Sequence, residues 1–579
     1  MNILLTAINA KYIHSNLAVY SLRACAGEYR DAVELAEYTI NNQKDYILEE
    51  LYKRKPDVLC FSCYIWNIDY VTDIAREYKK LCPSVPIWVG GPEVSYEVEA
   101  FLRENPYIDG VMIGEGEDTF RELCGYYAHK RKLSDIAGIA FRKNSTGNST
   151  SNRTSVNNAG CKADEIVFTS PRPIKNMSEI PFCYDTLDDF SNRIIYYESS
   201  RGCPFSCSYC LSSVDKTLRF RNTEIVKREL KFFIDQKVPQ IKFVDRTFNC
   251  NHAHAMELWR FIKANDNGVT NFHFEISADL LNQEELELIS DMRPGLMQLE
   301  IGVQSTNEVT IKEIHRTMKL ERLKEVVKLI QSGNNIHEHL DLIAGLPYED
   351  YDSFGRSFDE IYELKPNQLQ LGFLKVLKGS YMFEHAAEYG IVYHDKPPYE
   401  VMSTKWLSFD DVIKIKRVEE MLEVYYNSGQ FEITMKLMEC IFDSAFEFFQ
   451  ELGDFYEANG YFGMSHSRIR RCEILLEFLA LYLHGCDSDD MASMVLSENA
   501  VDRENTDCDE HAIDRENAGE NTDFDENAQI YSMIQESLIF DLYYRENCKS
   551  RPRWATDIGK FKHMTHAYCK NGKLSHVEP

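Results

Sequence analysis

The chain has 579 residues, with 64 Lys and Arg against 92 Asp and Glu and a net charge of −28. Its 44% hydrophobic and 12% aromatic content supplies sizeable cores and excludes wholesale disorder. The acidic balance disfavours binding to nucleic acid or anionic membranes, and no apolar run approaches the roughly 20 residues of a membrane span.

The first residues, MNILLTAINAKY, show no basic region or cleavage site and read as a strand, so a soluble cytoplasmic protein is expected. Over residues 1–143, the strand-like runs NILLTAIN, AVELAEYT, DVLCFSCYI, PIWVGGPEV and DGVMIGEGE alternate with helical segments. That alternation predicts a doubly wound, flavodoxin-like α/β sheet with its ligand crevice at the C-terminal strand ends. Residues 144–192 read as a polar insertion, a hairpin and a linker, with NSTGNSTSNRTSVNNAG separating GIAFRK from EIVFTSPR. Residues 193–373 resume parallel βα units, with strands expected at 194–200, 241–246, 272–277, 296–302, 339–345 and 369–373. Residues 374–579 read as mostly helical, from the apolar faces of 407–431 and 472–485. Within them, 486–528 carries 15 Asp and Glu against two Arg and repeats itself, VDRENTDCDE and then IDRENAGENTDFDE. It is expected to be a disordered loop, and it holds almost half of the net charge.

The 17 cysteines are odd in number and lack the spacing of a secreted disulfide framework. One cluster stands out, RGCPFSCSYC at 201–210, which sets Cys203, Cys207 and Cys210 on a loop after a strand. Three thiolates there can converge on one metal centre, and an iron–sulfur cluster held by three leaves one iron open to another ligand. Three reduced loop cysteines are the alternative. Cys60 and Cys63 span a strand and read as buried. His563, His566 and Cys569 have metal-like spacing without a fourth ligand. His337, His339 and Asp341 alternate along one strand and so share a face. The histidines read either as hydrogen-bonded core groups or as groups for proton transfer or substrate binding. His252 and His254 carry the same two readings.

The C-x3-C-x-aromatic-C loop after a strand resembles the signature of the radical S-adenosylmethionine (SAM) superfamily. The resemblance implies a partial (β/α)6 TIM-type barrel over 193–373 and a 4Fe-4S cluster on Cys203, Cys207 and Cys210. It further implies that SAM chelates the open iron and is cleaved reductively to a 5′-deoxyadenosyl radical. By the same resemblance, Tyr209, Asp245, Thr247, Glu275 and Ser277 lie near SAM, although VDRTF at 244–248 departs from the usual Gly-Gly-Glu second-strand motif. EIGVQST and DLIAGLP resemble strand motifs of the oxygen-independent coproporphyrinogen oxidases. That similarity implies that Gln304 and Asp341 face SAM and that Arg316 pairs with its carboxylate.

Residues 1–143 resemble the cobalamin-binding domains fused to such cores. The similarity rests on Ser62 after the third strand, Gly90 and Gly91 after the fourth, and Glu115 and Gly116 after the fifth. Small residues there would let a corrinoid tail approach the backbone. The Asp-x-His-x-x-Gly motif that ligates cobalt is absent, and in its loop, NAKYIHSNLA, His14 lacks both partners. The stretch beginning LKVLKGSY resembles a domain of unknown function that follows some of these cores. Its Tyr399, Trp406, Tyr425 and Tyr426 read as helical core or as a cap over the barrel. Together these similarities imply a radical SAM enzyme that transfers a methyl group from cobalamin to an unactivated carbon. They also imply a flavodoxin or ferredoxin as reductant and a small-molecule substrate. The alternatives are the same radical used without cobalamin for rearrangement, ring formation or sulfur insertion, and a non-enzymatic iron–sulfur electron carrier or redox sensor.

Overall fold

The computed structural model describes residues 1–143, 165–484, 521–545 and 552–555. The chain divides into two compact units, Met1–Asp350 with Gly372–Ser408, and Tyr351–Leu371 with Phe409–Pro579.

The first unit opens with β1 (Ile3–Asn9), β2 (Val33–Thr39), β3 (Val58–Ser62), β4 (Ile87–Gly90), β5 (Gly110–Met112), β6 (Ile139–Arg142) and β7 (Ile166–Phe168). Their order is β2–β1–β3–β4–β5–β6–β7, parallel as far as β5 and antiparallel for the hairpin strands β6 and β7. Along β1 every residue is buried, with Leu4 and Ile8 entering one core and Ile3, Leu5 and Ala7 the other. Both faces are therefore apolar, as expected of a parallel sheet covered by helices on each side. Those helices are α1 (Leu17–Cys25), α2 (Lys44–Arg54), α3 (Ile68–Leu81), α4 (Val98–Glu104) and α5 (Glu117–Tyr127). Helix α3 shows why they pack: Ile68, Val71, Ile74, Ala75 and Tyr78 repeat at helical spacing and are buried. The strand order reverses between β1 and β3, which places the crevice above Asn9 and Ser62.

Strand β8 (Ile195–Tyr197) leads into the antiparallel pair β9 (Ser200–Arg201) and β10 (Arg219–Phe220), which brackets the cysteine loop. Next come β11 (Gln240–Phe243), β12 (Asn271–Ile276), β13 (Met297–Gln304), β14 (His337–Ala344) and β15 (Gln368–Phe373), in the order β8–β11–β12–β13–β14–β15. This six-stranded sheet ends at β8 on one side and β15 on the other, the open form of a (β/α) barrel. Helices α6 (Thr223–Asp235), α7 (His252–Ala264), α8 (Gln283–Ser290), α9 (Glu308–Glu313) and α10 (Leu320–Gly333) connect its strands. Burial alternates along β13, where Met297, Leu299, Ile301 and Val303 are buried and Gln298, Glu300 and Gly302 are half-buried. The parallel register sets Gln298 beside His337, Glu300 beside His339 and Gly302 beside Asp341. The polar set thus forms layers on one face of the sheet.

The second unit is helical, with helices Tyr351–Tyr362, Phe409–Met421, Glu432–Met438, Ala445–Ala458, Arg468–His484 and Asn521–Arg545. Gly355 lies flat against the Phe446 ring, where a Cβ would come within 2.8 Å. Asp541 accepts from both the amide and the hydroxyl of Thr434, at 2.9 and 2.8 Å. The last helix begins inside the acidic stretch expected to be disordered, so the end of that stretch is ordered. The earlier part of the stretch, and His563, His566 and Cys569, lie outside the described residues. Among the described residues no helix is long and apolar enough to cross a membrane.

Candidate cofactor site

The cysteine loop is anchored from below. Ser199 and Ser200, just ahead of it, both donate to Asp245 at the end of β11, through the Ser199 amide (2.9 Å) and the two hydroxyls (2.5 and 2.6 Å). Ser199 Oγ also lies 3.0 Å from His254 Nε2. Burial pushes the Asp245 carboxyl up to about 7 against these donors and pulls His254 down to about 4. Arg201 then ties the loop sideways. Its Nε bonds both oxygens of Glu198, and its guanidinium pairs with Glu115 and Glu117 from the start of α5. Burial opposes the charge on Arg201, but these carboxylates outweigh it and hold the guanidinium charged.

Beyond Gly202, whose φ of +87° and tight approach to Thr217 admit no side chain, come the three cysteines. Cys203 and Cys207 are buried and Cys210 half-buried. Thr247, in left-handed backbone at φ +66°, brings its Oγ1 to 3.9 Å from Cys203 Sγ. Among the described residues no three metal-binding side chains converge on a single-ion site. A four-iron cluster does not need that, because each cysteine binds a different iron.

Arg316 joins the loop to β13. One terminal nitrogen faces Cys207 Sγ at 3.7 Å and Tyr209 Oη at 3.4 Å, and the other donates to the Gly302 carbonyl. The Ser208 amide reinforces this through the Ile314 carbonyl at 2.9 Å. Burial works against the Arg316 charge, and Tyr209 and Cys207 restore it. Gln304 takes φ +77° where the β13 register breaks, which turns its amide back over Gly302. A Cβ on Gly302 would sit 2.3 Å from that amide, so a side chain there would displace the end of Gln304. Gln304 Oε1 and Arg316 Nε are buried without partners, two polar atoms ready for a ligand beside the thiols.

The barrel face below is ionisable. Lys242 and His273 both bond Glu300 Oε2, at 2.8 and 2.9 Å. Burial raises the Glu300 carboxyl, but His273 and Lys242 outweigh it and hold Glu300 below the ordinary carboxylate range. Glu275 is taken by Arg246 at 2.9 Å, and Ser277 by Asp279 at 2.7 Å. His339 Nε2 and Asp341 Oδ1 come within 3.2 Å without hydrogen-bond geometry, and both atoms are buried and unsatisfied. Burial lowers the His339 imidazole below its ordinary value and, with Glu300 and Glu275 near, raises Asp341 well above its usual range. His337, one layer down, is exposed. His252 pairs with Glu285 at 3.0 Å on the outer helices.

The crevice of the first sheet is built from backbone. Gly91 has φ +121°, and a Cβ there would lie 2.3 Å from the Cys63 carbonyl. A Cβ on Gly90 would touch Met112 at 3.4 Å, and one on Gly116 would meet Leu22 at 2.9 Å, whereas Gly114 faces open space. Ser62 is buried, its Oγ 3.3 Å from the Asn16 amide. Glu115 accepts from Arg219 Nη2 (2.7 Å) and the Lys175 amide (3.2 Å), so it links the two sheets. Cys60 and Cys63 are fully buried with raised thiols. His14 bonds Tyr196 of the barrel at 2.7 Å, and its loop runs beside Ile194 ahead of β8.

Of the residues expected from the sequence, Tyr209, Thr247 and Arg316 lie at the cysteine loop, Ser62, Gly90 and Gly91 lie at the crevice of the first sheet, and Glu275 and Ser277 are engaged by Arg246 and Asp279; two others have supporting roles. Asp245 is wholly enclosed and supports the loop, and Glu115 is engaged by arginines. Sequence reasoning missed Arg201, Glu198 and the Lys242–His273–Glu300 group. Counting back by two from Glu275 and Gly302 along their strands would have found His273 and Glu300. Two surface grooves of about 720 and 850 Å³ lie elsewhere, on the outer helices and along β2, and touch none of the three cysteines.

Family models match in chain order: a B12 binding domain at residues 3–124, the radical SAM superfamily at 197–361, and a protein of unknown function, DUF4080, at 387–577. The chain is 28% identical over 364 residues to the cobalamin-dependent radical SAM methyltransferase TokK of Streptomyces tokunonensis, covering 59% of this chain and 49% of that protein. It is 22% identical to the anaerobic magnesium-protoporphyrin IX monomethyl ester cyclase of Rubrivivax gelatinosus, covering 59% of this chain and 60% of that protein. The chain thus spans about half to three-fifths of these relatives. The solved structure of the cobalamin-dependent SAM radical enzyme OxsB, with aqua-cobalamin and SAM bound, superposes with a TM-score of 0.58 at 14% identity, covering 98% of this chain and 84% of that one. At that identity the likeness establishes the fold.

Proposed function

We propose that this chain, which joins a B12-binding domain, a radical SAM domain and a DUF4080 region in that order, is a cobalamin-dependent radical SAM methyltransferase acting on a polar small molecule. One observation carries the reading. Three thiols share a loop that is faced by a half-buried arginine, Arg316, whose Nε is unpartnered, and that loop is bonded through Arg201 to the carboxylates of the B12-type domain. A radical SAM cluster and a corrinoid need to be held in such proximity. Cys203, Cys207 and Cys210 would hold a 4Fe-4S cluster, and Gly114, facing open space, leaves backbone open to a corrinoid beside the loop that Gly90 and Gly91 pack against Met112 and Cys63. When bound, the two groups supply the electron that cleaves SAM and a transferable methyl group.

The protein's own residues then bind and orient. Arg316 offers a planar cation to the SAM carboxylate, which suits bidentate pairing. Gln304 and Asp341 supply hydrogen-bonding groups on the same face. His339, with the charge-balanced Lys242, Glu300 and His273, makes a floor that favours neutral, hydrogen-bonding substrates over greasy ones. A low-potential reductant such as flavodoxin or ferredoxin would be the redox partner. The similarity to a cyclase keeps ring formation as a second reading.

Anaerobically reconstituted protein should carry about four irons, retain hydroxocobalamin through desalting, and release 5′-deoxyadenosine and S-adenosylhomocysteine on reduction with SAM and substrate. Cleavage of SAM without any corrinoid retention would overturn the methyl-transfer reading. Cleavage that survives Cys207→Ala would overturn the cluster assignment.

A further inference from the structure

After β15 the chain does not pass directly into the second unit. Residues Gly372–Ser408 first run back over the first unit, and they include the start of the DUF4080 match. This stretch is fastened to the barrel and to itself. The Leu374 amide bonds the Ala344 carbonyl, Val401 bonds Leu374, and Val376 bonds Tyr399, each at 2.9 Å. Gly345, at φ +87°, leaves room for Val401, which a Cβ would meet at 2.6 Å.

From that base the stretch reaches both cofactor loops. Toward the cysteines, the Met382 amide bonds the carbonyl of Ser208, between Cys207 and Tyr209, at 2.9 Å. Tyr389 Oη donates to Glu313 at 2.7 Å, and the Tyr381 ring meets His315 edge-on at 4.9 Å, both just ahead of Arg316. Toward the first sheet, Tyr399 Oη donates to Glu93, two residues past Gly91. Gly379, at φ +85°, lies against the Tyr96 ring so closely that a Cβ would sit 2.2 Å away. Lys378 sits over the Tyr399 ring at 5.5 Å and 3.9 Å from Glu97. Tyr399 is only 5% exposed and Glu93 is half-buried, so losing the Tyr399 hydroxyl would leave a partly shielded carboxylate oxygen without that donor.

We infer that Gly372–Ser408 is a positioning strap that holds the loop after β4 and the cysteine loop in register with each other, Tyr399 gripping the first and Met382, Tyr381 and Tyr389 the second. That gives the beginning of the DUF4080 region a definite task. The inference rests on the proposed function insofar as these two loops carry cobalamin and the cluster.

The test uses the full chain, with Tyr399→Phe and Tyr389→Phe made separately and folding checked by circular dichroism. Amide hydrogen exchange of the unloaded protein is the first readout. Each variant should raise exchange several-fold at both 92–97 and 206–210, including the loop that its own side chain does not touch. Purely local effects, each variant loosening only its own loop, would overturn the strap. The second readout is hydroxocobalamin binding by absorbance, which Tyr399→Phe should weaken roughly 10-fold with iron content unchanged. If wild-type protein binds no corrinoid, the proposed function fails while the exchange experiment still decides the strap. If one variant does not fold, the other carries the same cross-loop test.

Discussion

The two parallel sheets of the first unit arise from the same βα alternation and end with opposite chemistry. Helices cover both faces of the first sheet, so β1 is buried at every residue, and close-packed glycines shape the backbone at its crevice beside Asn9 and Ser62. The second sheet carries a polar face, where Lys242, His273, Glu300, His339 and Asp341 alternate with neighbours turned to the other side. One such face is enough to turn an apolar layer into a polar chamber. The consequence is a difference in what each site tolerates. A site made of backbone fails when a Cβ is added, and one made of side chains fails when a charge or its geometry changes.

Gly91→Ala should produce the largest effect on cofactor binding. The added carbon meets the Cys63 carbonyl at 2.3 Å in a backbone region that alanine rarely adopts. Hydroxocobalamin retention should be lost, with at least about 2 kcal/mol of destabilisation in urea unfolding. SAM cleavage should survive, because nothing at the cysteines is touched. Normal corrinoid binding by this variant would show that the first sheet does not work through its backbone.

Asp245→Asn probes the support beneath the barrel site. The carboxylates with buried side chains beside the first sheet's crevice, Glu37 and Glu117, pair with arginines, whereas Asp245 is held by two serines. Asp245 is raised from 3.8 to about 7, so its contribution to stability is complete below pH 3.8 and is lost as pH rises through 7. Wild type minus variant should therefore fall by up to roughly 4 kcal/mol between pH 4 and 8 in urea unfolding of the unloaded protein. His254, lowered to about 4, gives the reverse slope in both proteins and cancels in the difference. A flat difference would mean that the three donors keep Asp245 ionised throughout.

The fold was legible because hydrophobic runs of strand length separated by helical patterns leave few alternatives, and the cysteine loop was legible from spacing alone. Less visible were contacts between distant segments. Nothing local in RGCPFSCSYC says that Arg201 pairs with Glu115 and Glu117, or that Asp245 faces two serines rather than a ligand. The strap was half visible: Tyr399 and Trp406 stood out as aromatic, and Tyr399 holds the loop after β4 while Trp406 packs on Tyr348. Tyr425, in contrast, is helical core, bonded to Tyr456 at 2.7 Å. Composition could not separate those outcomes, because both use buried aromatic rings.

Arg316→Lys gives a smaller expected change and the sharpest discrimination. It keeps the charge and removes the planar fork that reaches Gly302, Cys207 and Tyr209 together. If the barrel site needed only a positive charge, SAM affinity would hold. If it needs geometry, binding should weaken roughly 10-fold by equilibrium dialysis, about 1.4 kcal/mol. The perturbation of the cluster's EPR signal by SAM should shrink with it. Glu115→Gln provides the contrast on the first sheet, since it keeps the size of the side chain and removes a charge shared with Arg201 and Arg219. Corrinoid binding should change less than SAM binding changes in the lysine variant, because on that sheet the backbone, not the charge, makes the site.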